Sequence, residues 1–584
     1  MAHIYPWLLA AMLPVMGLAG GLAAADRPSD PADSPWGFCS SAEWFGDYPR
    51  FNPLMVQAGV RYLRAFPEWQ TIQPQRDEWN WKPADDLVAN AKASGLRLNG
   101  GLWYFAKWAT TDGSTRTAPL KDIADWSAYA AAAATRYKAD IRDWEIYNEF
   151  NGSFSNSKNK PKDYAALVAS AADAIRKVDP TLRIGISCAN FDIGFFDGAI
   201  KAGASGKFDY VCVHPYENLG TLANGGEDGY LSMASNIRKM LADNGQRSDI
   251  GLWITEFGLQ SKVKPEPVQD TLQAEVLVKG FVLAIAQGFE RIDWFEARGP
   301  SYGHDTDHGI IRHDWSLRPC YDSLKTMTGI LGDAPRYTGW LNLADGGYGF
   351  VFHGKSGPVL AAWSSKGPER QVTFTSDVTV SDIAGAATPL KAGQRLTLGK
   401  SPVFVAAVPV DLLALAKANV AKPFPWGGQY ATATEVGCLL GATNTERGIS
   451  QRNPDTTEVV NKLDHSYRVS HRRNGEGIYA YFRVDPQFVS FGNKELEVTV
   501  VARRADDAKE VGFEICYESL SGYKGTGQRR QIPAGEAWTD FTFKLTDANF
   551  AGGWGWNFRT DIGGSPGGIA IKEVRVKKPA PAKP

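Results

Sequence analysis

The chain has 584 residues and a formal net charge of −1, with 43% hydrophobic and 22% charged residues. That balance belongs to a globular protein and excludes a disordered one, and the length asks for roughly two to four domains. Near-neutral charge leaves no basic field for nucleic acid or for an anionic membrane surface.

The N-terminal stretch from Trp7 to Leu22 is apolar and runs into Ala23, Ala24 and Ala25. This is the pattern of a secretory signal, expected over residues 1–25, and it makes the product secreted or periplasmic, with no membrane contact after cleavage. The segment before the apolar run has His3 but no Lys or Arg, which departs from that pattern, and an uncleaved anchor is the alternative because the run approaches the ~18 residues that span a membrane.

From Trp36 to Ala334 apolar strands alternate with amphipathic helices. The strands are expected at 36–41, 60–66, 96–104, 141–149, 182–188, 208–216, 250–258 and 291–297. Helical runs lie between them, among them 83–95, opened by Pro83 and closed by Gly95, and 162–180, stopped at Pro180. Eight such units predict an α/β fold, a (β/α)8 TIM barrel over 30–334. A doubly wound sheet would carry a Gly-rich loop after its first strand, and GFCSSAEWFG (37–46) is not one. Residues 335–411 change to short alternating strands with Gly and Pro turns, a small β-sandwich. Residues 425–579 alternate again and predict a C-terminal jelly-roll-like β-sandwich.

Nineteen tryptophans can fill a large core or stack on the apolar faces of sugar rings. In the last region Tyr467, Tyr481, Tyr517, Tyr523, Trp538, Trp554 and Trp556 divide between core and platform. The six cysteines form no C-x-x-C. Cys438 and Cys516 could pair, whereas Cys188 and Cys212 read as small buried hydrophobes.

Two strand ends carry the chemistry. IRDWEIYNEF (141–150) closes the fourth strand with Asn148 and Glu149, and LWITEFG (252–258) closes the seventh with Glu256. Barrel strands end at one shared mouth, so the two glutamates should face each other. A protonated and an ionised carboxyl flanking a cavity are the tools of glycoside hydrolysis. Strict alternation puts Tyr62, Arg64 and Phe66 on one face, Cys212, His214 and Tyr216 on another, and Leu252, Ile254 and Glu256 on a third. Arg64 beside Glu256 would keep it ionised, while Glu149 is expected to hold its proton near neutral pH. Trp103 and Trp294 are candidate sugar platforms and Glu296 a candidate substrate contact. Asp305, Asp307 and His308 in GHDTDHG read as a loop lining a subsite, not as a metal centre. No cofactor motif is found.

YNEF (147–150) and ITEFG (254–258), on strands four and seven, resemble glycoside hydrolase clan A, the retaining (β/α)8 superfamily, and above all family 39 and its relatives, whose barrel is followed by a β-sandwich. The resemblance implies Glu149 as acid/base and Glu256 as nucleophile. It further implies Arg64 beside the nucleophile, Asn148 on the sugar 2-hydroxyl, His214 and Tyr216 orienting the nucleophile, and Trp294 as the floor under the sugar. The expected protein is therefore a secreted retaining glycosidase acting on a polysaccharide or oligosaccharide, endo-acting in view of its appended module. The expected carboxyl separation is ~5–5.5 Å. Modules of this kind often hold a structural calcium. A non-catalytic carbohydrate-binding protein and a transglycosylase are the alternatives. Clan A covers many sugars, and Lys107, Arg116 and Lys121 in the 105–122 loop leave an acidic one open.

Overall fold

A barrel strand is covered on both faces, by helices outside and by opposing side chains inside, so nearly all of its residues are buried, polar ones included. Eight such segments are present in the computed structural model, which describes residues 34–40, 46–299, 305–365, 369–427, 430–462, 465–470, 479–492 and 494–579. They are β1 (Trp36–Cys39), β2 (Tyr62–Arg64), β3 (Arg97–Leu102), β4 (Ile141–Ile146), β5 (Arg183–Ala189), β6 (Tyr210–His214), β7 (Gly251–Phe257) and β8 (Arg291–Phe295). All pair in parallel, and β8 returns to β1 to close the barrel. The (β/α)8 expectation is borne out.

The helices follow from local signals. Ile123–Tyr137 starts where the Asp122 side chain accepts from the Ala124 N–H, and Pro267–Ala286 where Glu266 accepts from Gln269. The latter helix is buried along most of its length. Phe281 meets Trp36 of the barrel, and Lys279 reaches the next domain through Ser365.

Inside the barrel, large side chains fill the lower half. Tyr210 and Trp253 stack at 3.9 Å, and the Arg291 guanidinium lies over the Tyr62 ring. A cleft opens above them at the mouth, beside the strand C-termini.

One expectation of strict alternation fails. The β7–β8 register shifts between Ile254 and Phe257. Leu252 and Ile254 are buried in the core shared with the helices, while Thr255 and Glu256, adjacent in sequence, both reach His214 or its neighbours inside the mouth. An irregularity of this kind re-aims a side chain, which two-residue periodicity alone cannot show.

After the barrel, a six-stranded antiparallel sheet (Arg336–Leu343, Gly347–Gly354, Gly357–Trp363, Val403–Ala406, Val378–Asp382, Ala387–Leu390) and a two-stranded sheet form a sandwich-like domain. The helix Val410–Asn419 lies directly on it. A Cβ at Gly339 would meet the Ala416 carbonyl oxygen, and φ there is +149°, so glycine is required. The C-terminal region is a larger antiparallel assembly built from Glu435–Leu439 to Ile569–Lys577. It is not held by its linker alone. The Phe491 N–H donates to Asn236 Oδ1 at 2.8 Å, the Phe191 N–H to the Gly553 carbonyl at 3.2 Å, and Phe491 and Ala551 join the barrel's hydrophobic core.

All six cysteines are free, so the expected Cys438–Cys516 pair does not form. Both residues sit on strands that use them as ladder members, Cys438 opposite Val574 and Cys516 opposite Arg559. Among the described residues no helix is long and apolar enough to cross a membrane. The expected signal segment 1–25 lies outside the described residues.

Candidate active site

β4 ends at Ile146, and the chain then turns sharply. Tyr147 and Glu149 take φ of +60° and +48°, a conformation non-glycine residues adopt only when their surroundings impose it. Those surroundings are visible. The Tyr147 N–H donates to the Leu102 carbonyl at 3.0 Å, its hydroxyl to the Phe154 carbonyl at 2.8 Å, and the Gly152 N–H to the Glu149 carbonyl at 2.8 Å. The turn lifts Glu149 off the strand and aims it into the mouth.

Arg64, at the end of β2, organises the opposite wall. Its Nε and Nη2 donate to both oxygens of Glu145, at 2.8 and 2.6 Å, and its Nη1 to Glu256 Oε1 at 2.7 Å. Nη2 also reaches Asn148 Oδ1 at 3.0 Å, which fixes the amide orientation, and the guanidinium lies 4.6 Å from the Trp103 ring centre. Trp103 in turn packs over Gly101, where any Cβ would collide with its indole. The second oxygen of Glu256 accepts from the Tyr216 hydroxyl at 3.0 Å. His214 is fully buried below; its Nδ1 is 2.8 Å from Glu149 Oε1 and its Nε2 is 3.1 Å from Thr255 Oγ1. One oxygen each of Glu149 and Glu256 and a ring nitrogen of His214 all lie within 4.8 Å of one another.

The surrounding charges act on Glu256 and on the two residues that flank it. Burial works to raise the Glu256 pKa, but the charges of His214 and Arg64 and the hydrogen bonds from Tyr216 and Arg64 outweigh it, leaving it below the ordinary carboxylate value. For His214, burial lowers the pKa, and the charge of Glu256 with the hydrogen bond and charge of Glu149 reverses this, so it lies above the usual imidazole value. Burial first, then the nearby carboxylates, push the Tyr216 phenol well up, so it stays a donor to Glu256.

These groups line a cleft of about 700 Å³ at the mouth. Six of the residues singled out from sequence are on its wall: Arg64, Trp103, Asn148, Glu149, Tyr216 and Glu256. His214 is beneath it. Two are elsewhere. Trp294 is fully buried, its ring 5.4 Å from Phe257 and its indole N–H donating to the His308 carbonyl at 2.9 Å. It faces away because neighbours on a strand point oppositely, and Phe295 takes the cleft side. Glu296 is likewise buried and outside the described lining.

Other residues went unrecognised in the sequence. Glu145 anchors Arg64; Tyr104 and Phe154 form a wall, completed by Glu217 and Phe295, and Arg116, named from the sequence for an acidic sugar, joins it with its guanidinium 4.7 and 4.5 Å from the two rings. Glu145 shares its strand, IRDWEI, with Arg142 and Asp143, so nothing in the sequence singled it out among three charged residues. From the GHDTDHG loop, His308 lines the cleft against Tyr216 and Phe295. Asp307 instead turns to Arg318 at 2.9 Å.

Glu149, His214 and Glu256 present donor atoms that could close around a cation. The Arg64 guanidinium already occupies one Glu256 oxygen at 2.7 Å and Tyr216 the other, which opposes a metal there.

No known family's sequence profile matches the chain. Solved structures do. A glucosidase from Croceicoccus marinus is similar over 94% of this chain and 96% of that one, at 12% identity and a TM-score of 0.44. A monomeric beta-xylosidase from Caulobacter crescentus CB15 is similar over 95% and 97%, at 13% identity and 0.45. A family 39 glycoside hydrolase from the gut symbiont Bacteroides cellulosilyticus WH2 matches over 64% of this chain and 81% of that one, at 18% identity and a TM-score of 0.53. The barrel fold of this chain is thus one that it shares with a family 39 glycoside hydrolase, as the strand-end motifs led us to expect.

Proposed function

We propose that the protein is a retaining glycoside hydrolase in which Glu256 is the nucleophile and Glu149 the acid/base. The observation that carries this is the pair of carboxylates facing across the mouth with oxygens within 4.8 Å and in unlike surroundings. Retaining enzymes hold their carboxyls ~5–5.5 Å apart, while inverting enzymes leave ~6.5–9.5 Å for a water. Glu256, held by Arg64 and Tyr216, is ionised and ready to attack. Glu149 shares its contact with His214. That contact, at 2.8 Å between Nδ1 and Oε1, positions the Glu149 carboxyl at the mouth.

In the first step a Glu256 oxygen bonds to the anomeric carbon, the glycosidic C–O bond breaks, and the leaving oxygen takes the Glu149 proton. The glycosyl ester that results has no charge on Glu256. Arg64 stays in place because Glu145 holds it through two hydrogen bonds. In the second step a water gives its proton to Glu149, its oxygen bonds to the anomeric carbon, and Glu256 leaves as carboxylate. Two inversions give net retention, and the chemistry needs no cofactor.

The signal-like N-terminus supports export, and the appended C-terminal region supports a polymeric substrate and endo action. The test is release of product from aryl glycosides and polysaccharides by the wild type and Glu256→Gln, with the anomer of the first product followed by NMR. Activity lost by several orders of magnitude in the variant, with retained configuration, is expected. Near-wild-type activity of Glu256→Gln, or an inverted product, refutes the assignment.

A further inference from the structure

A second groove, of about 780 Å³, opens where the barrel meets the two β domains, and Glu217 lines both it and the catalytic cleft. Its far wall comes from the C-terminal region, from a loop that the fold holds rigidly. The buried Glu518 carboxylate accepts from the N–H groups of Gly552 and Gly553 at 2.8 Å each and from Asn557 Nδ2 at 2.9 Å. At the tip of that loop stands Trp554, which is 46% exposed. Tyr523 covers one face of its indole, with ring centres 4.9 Å apart and planes inclined by 28°.

The loop is also tied to the catalytic mouth. The Trp554 indole N–H donates to the Asn190 side-chain oxygen at 2.8 Å, and the Asn190 amide nitrogen donates to both oxygens of Glu217, at 2.9 and 3.2 Å, with the amide oriented by these partners. The Asn190 carbonyl accepts from the His214 N–H at 3.0 Å. A Cβ on Gly555 would stand 3.3 Å from the Glu217 carbonyl, so the two elements are in close contact.

A second, independent feature points to a ligand. Arg452 lines the groove and is only 9% exposed, yet its side chain has no hydrogen bond or ion pair among the described residues, and its Nε is buried without a partner. A buried guanidinium ordinarily sits against a carboxylate or several carbonyls. Here the space in front of it is the groove, with the Lys400 chain also on its wall.

We propose that this groove is a further glycan subsite on the leaving-group side of the scissile bond, in which Trp554 stacks a sugar ring and Arg452 binds oxygens of the same chain. The proposal rests on the glycosidase reading, and it makes the C-terminal region part of the substrate path. The side follows from chemistry. Glu149 protonates the leaving oxygen, so sugars that continue past Glu149 toward Glu217 belong to the leaving group. A rigid aromatic platform suits this role because little ordering remains to be done on binding.

The test compares 4-nitrophenyl glycosides with xylo-, cello-, manno- and galacturono-oligosaccharides of two to six units, using the wild type, Trp554→Ala and Trp554→Phe. In the wild type kcat/KM rises with chain length. Trp554→Ala loses roughly tenfold more on the hexasaccharide than on the aryl glycoside, and Trp554→Phe, which keeps an aromatic face but not the indole N–H, recovers most of that difference. Arg452→Gln lowers the same ratio, most steeply on the galacturonate series if the bound oxygens are carboxylates. Equal losses on short and long substrates would show Trp554 acting only through Asn190 and would overturn the subsite while leaving the glycosidase reading intact. A folded wild type silent on every glycoside refutes that reading, and the subsite falls with it.

Discussion

Replacing Arg64 with methionine removes one of the two cations, with His214, that hold the proposed nucleophile ionised. The guanidinium and the Glu256 carboxylate are joined at 2.7 Å, with side chains 4% and 14% exposed. With roughly 4 Å between charge centres and an effective dielectric of about 20, their attraction is about 4 kcal/mol. His214 remains on the other side of Glu256, with Nδ1 3.8 Å from Oε2, and offsets part of the loss. At about 1.4 kcal/mol per factor of ten, the expected fall in kcat/KM at neutral pH is on the order of 10²- to 10³-fold. Because the remaining dominant influence on Glu256 is burial, which favours the protonated form, the acidic limb of kcat/KM moves to higher pH. The assay is a pH profile of aryl glycoside hydrolysis. One complication is structural: Glu145, fully buried, loses both its hydrogen bonds from Arg64, and breaking a buried pair from one side costs about 3–5 kcal/mol of stability. Arg64→Met paired with Glu145→Gln removes that unpaired charge. A folded double variant with kcat/KM within threefold of wild type and an unmoved acidic limb would refute the electrostatic role of Arg64.

Glu149→Ala should lose on the order of 10²- to 10⁴-fold on glycosides with poor leaving groups and far less on 2,4-dinitrophenyl glycosides, whose leaving group needs no proton; azide should raise the turnover of the latter, and equal losses on both would remove Glu149 from the acid role. The folded Glu256 carboxyl lies below its ordinary value, so it adds stability that is fully present above the unfolded value of about pH 4.3 and is lost as pH falls through the folded value. Urea titrations from pH 6 to 3 should therefore show a shallower acid loss for Glu256→Gln than for wild type. Asp270 is paired with Arg312 at 2.5 Å and Arg318 at 2.8 Å, all nearly inaccessible. Asp270→Ala should destabilise by about 3–5 kcal/mol in urea unfolding, and a change under 1 kcal/mol would show that Asp307, the other partner of Arg318, suffices.

The eight strands and the two glutamates were legible because each depends on local pattern. Strand-length segments alternate with helical ones eight times, and a carboxylate at the C-terminal end of such a strand lies at the mouth. Side-chain direction was less legible. Alternation correctly turned Arg64 and His214 inward, since β2 and β6 are regular. It failed on β7, where the register shift lets Thr255 and Glu256 both serve the site. It was not applied on β8, where it would have sent Phe295 to the cleft and Trp294 to the core. Glu145 escaped notice because a buried acid has no periodic signature; what betrays it is the cost of burying a carboxylate without a partner. Arg64, already expected inside the barrel, was the cation able to meet that cost.

The walls of the cleft depend on a different kind of information. Tyr104, Arg116, Phe154 and His308 come from loops whose course is set by what they pack against, not by spacing along the chain. Phe154, for example, meets the cleft because its carbonyl accepts from the Tyr147 hydroxyl and its ring stacks on Tyr104 at 5.4 Å. The same holds on a larger scale for the C-terminal region. Its alternating strands identify a sandwich, but nothing in them says that the loop from Gly552 to Asn557 lies against Phe191 and Asn190 at the end of β5. That contact follows from two surfaces fitting, through the Gly553 carbonyl and the Trp554 indole. Strand ends place the groups proposed to break the bond. Surface complementarity between domains places the groups that would choose the chain, so substrate preference is expected to change with the C-terminal loop while the catalytic pair stays as it is.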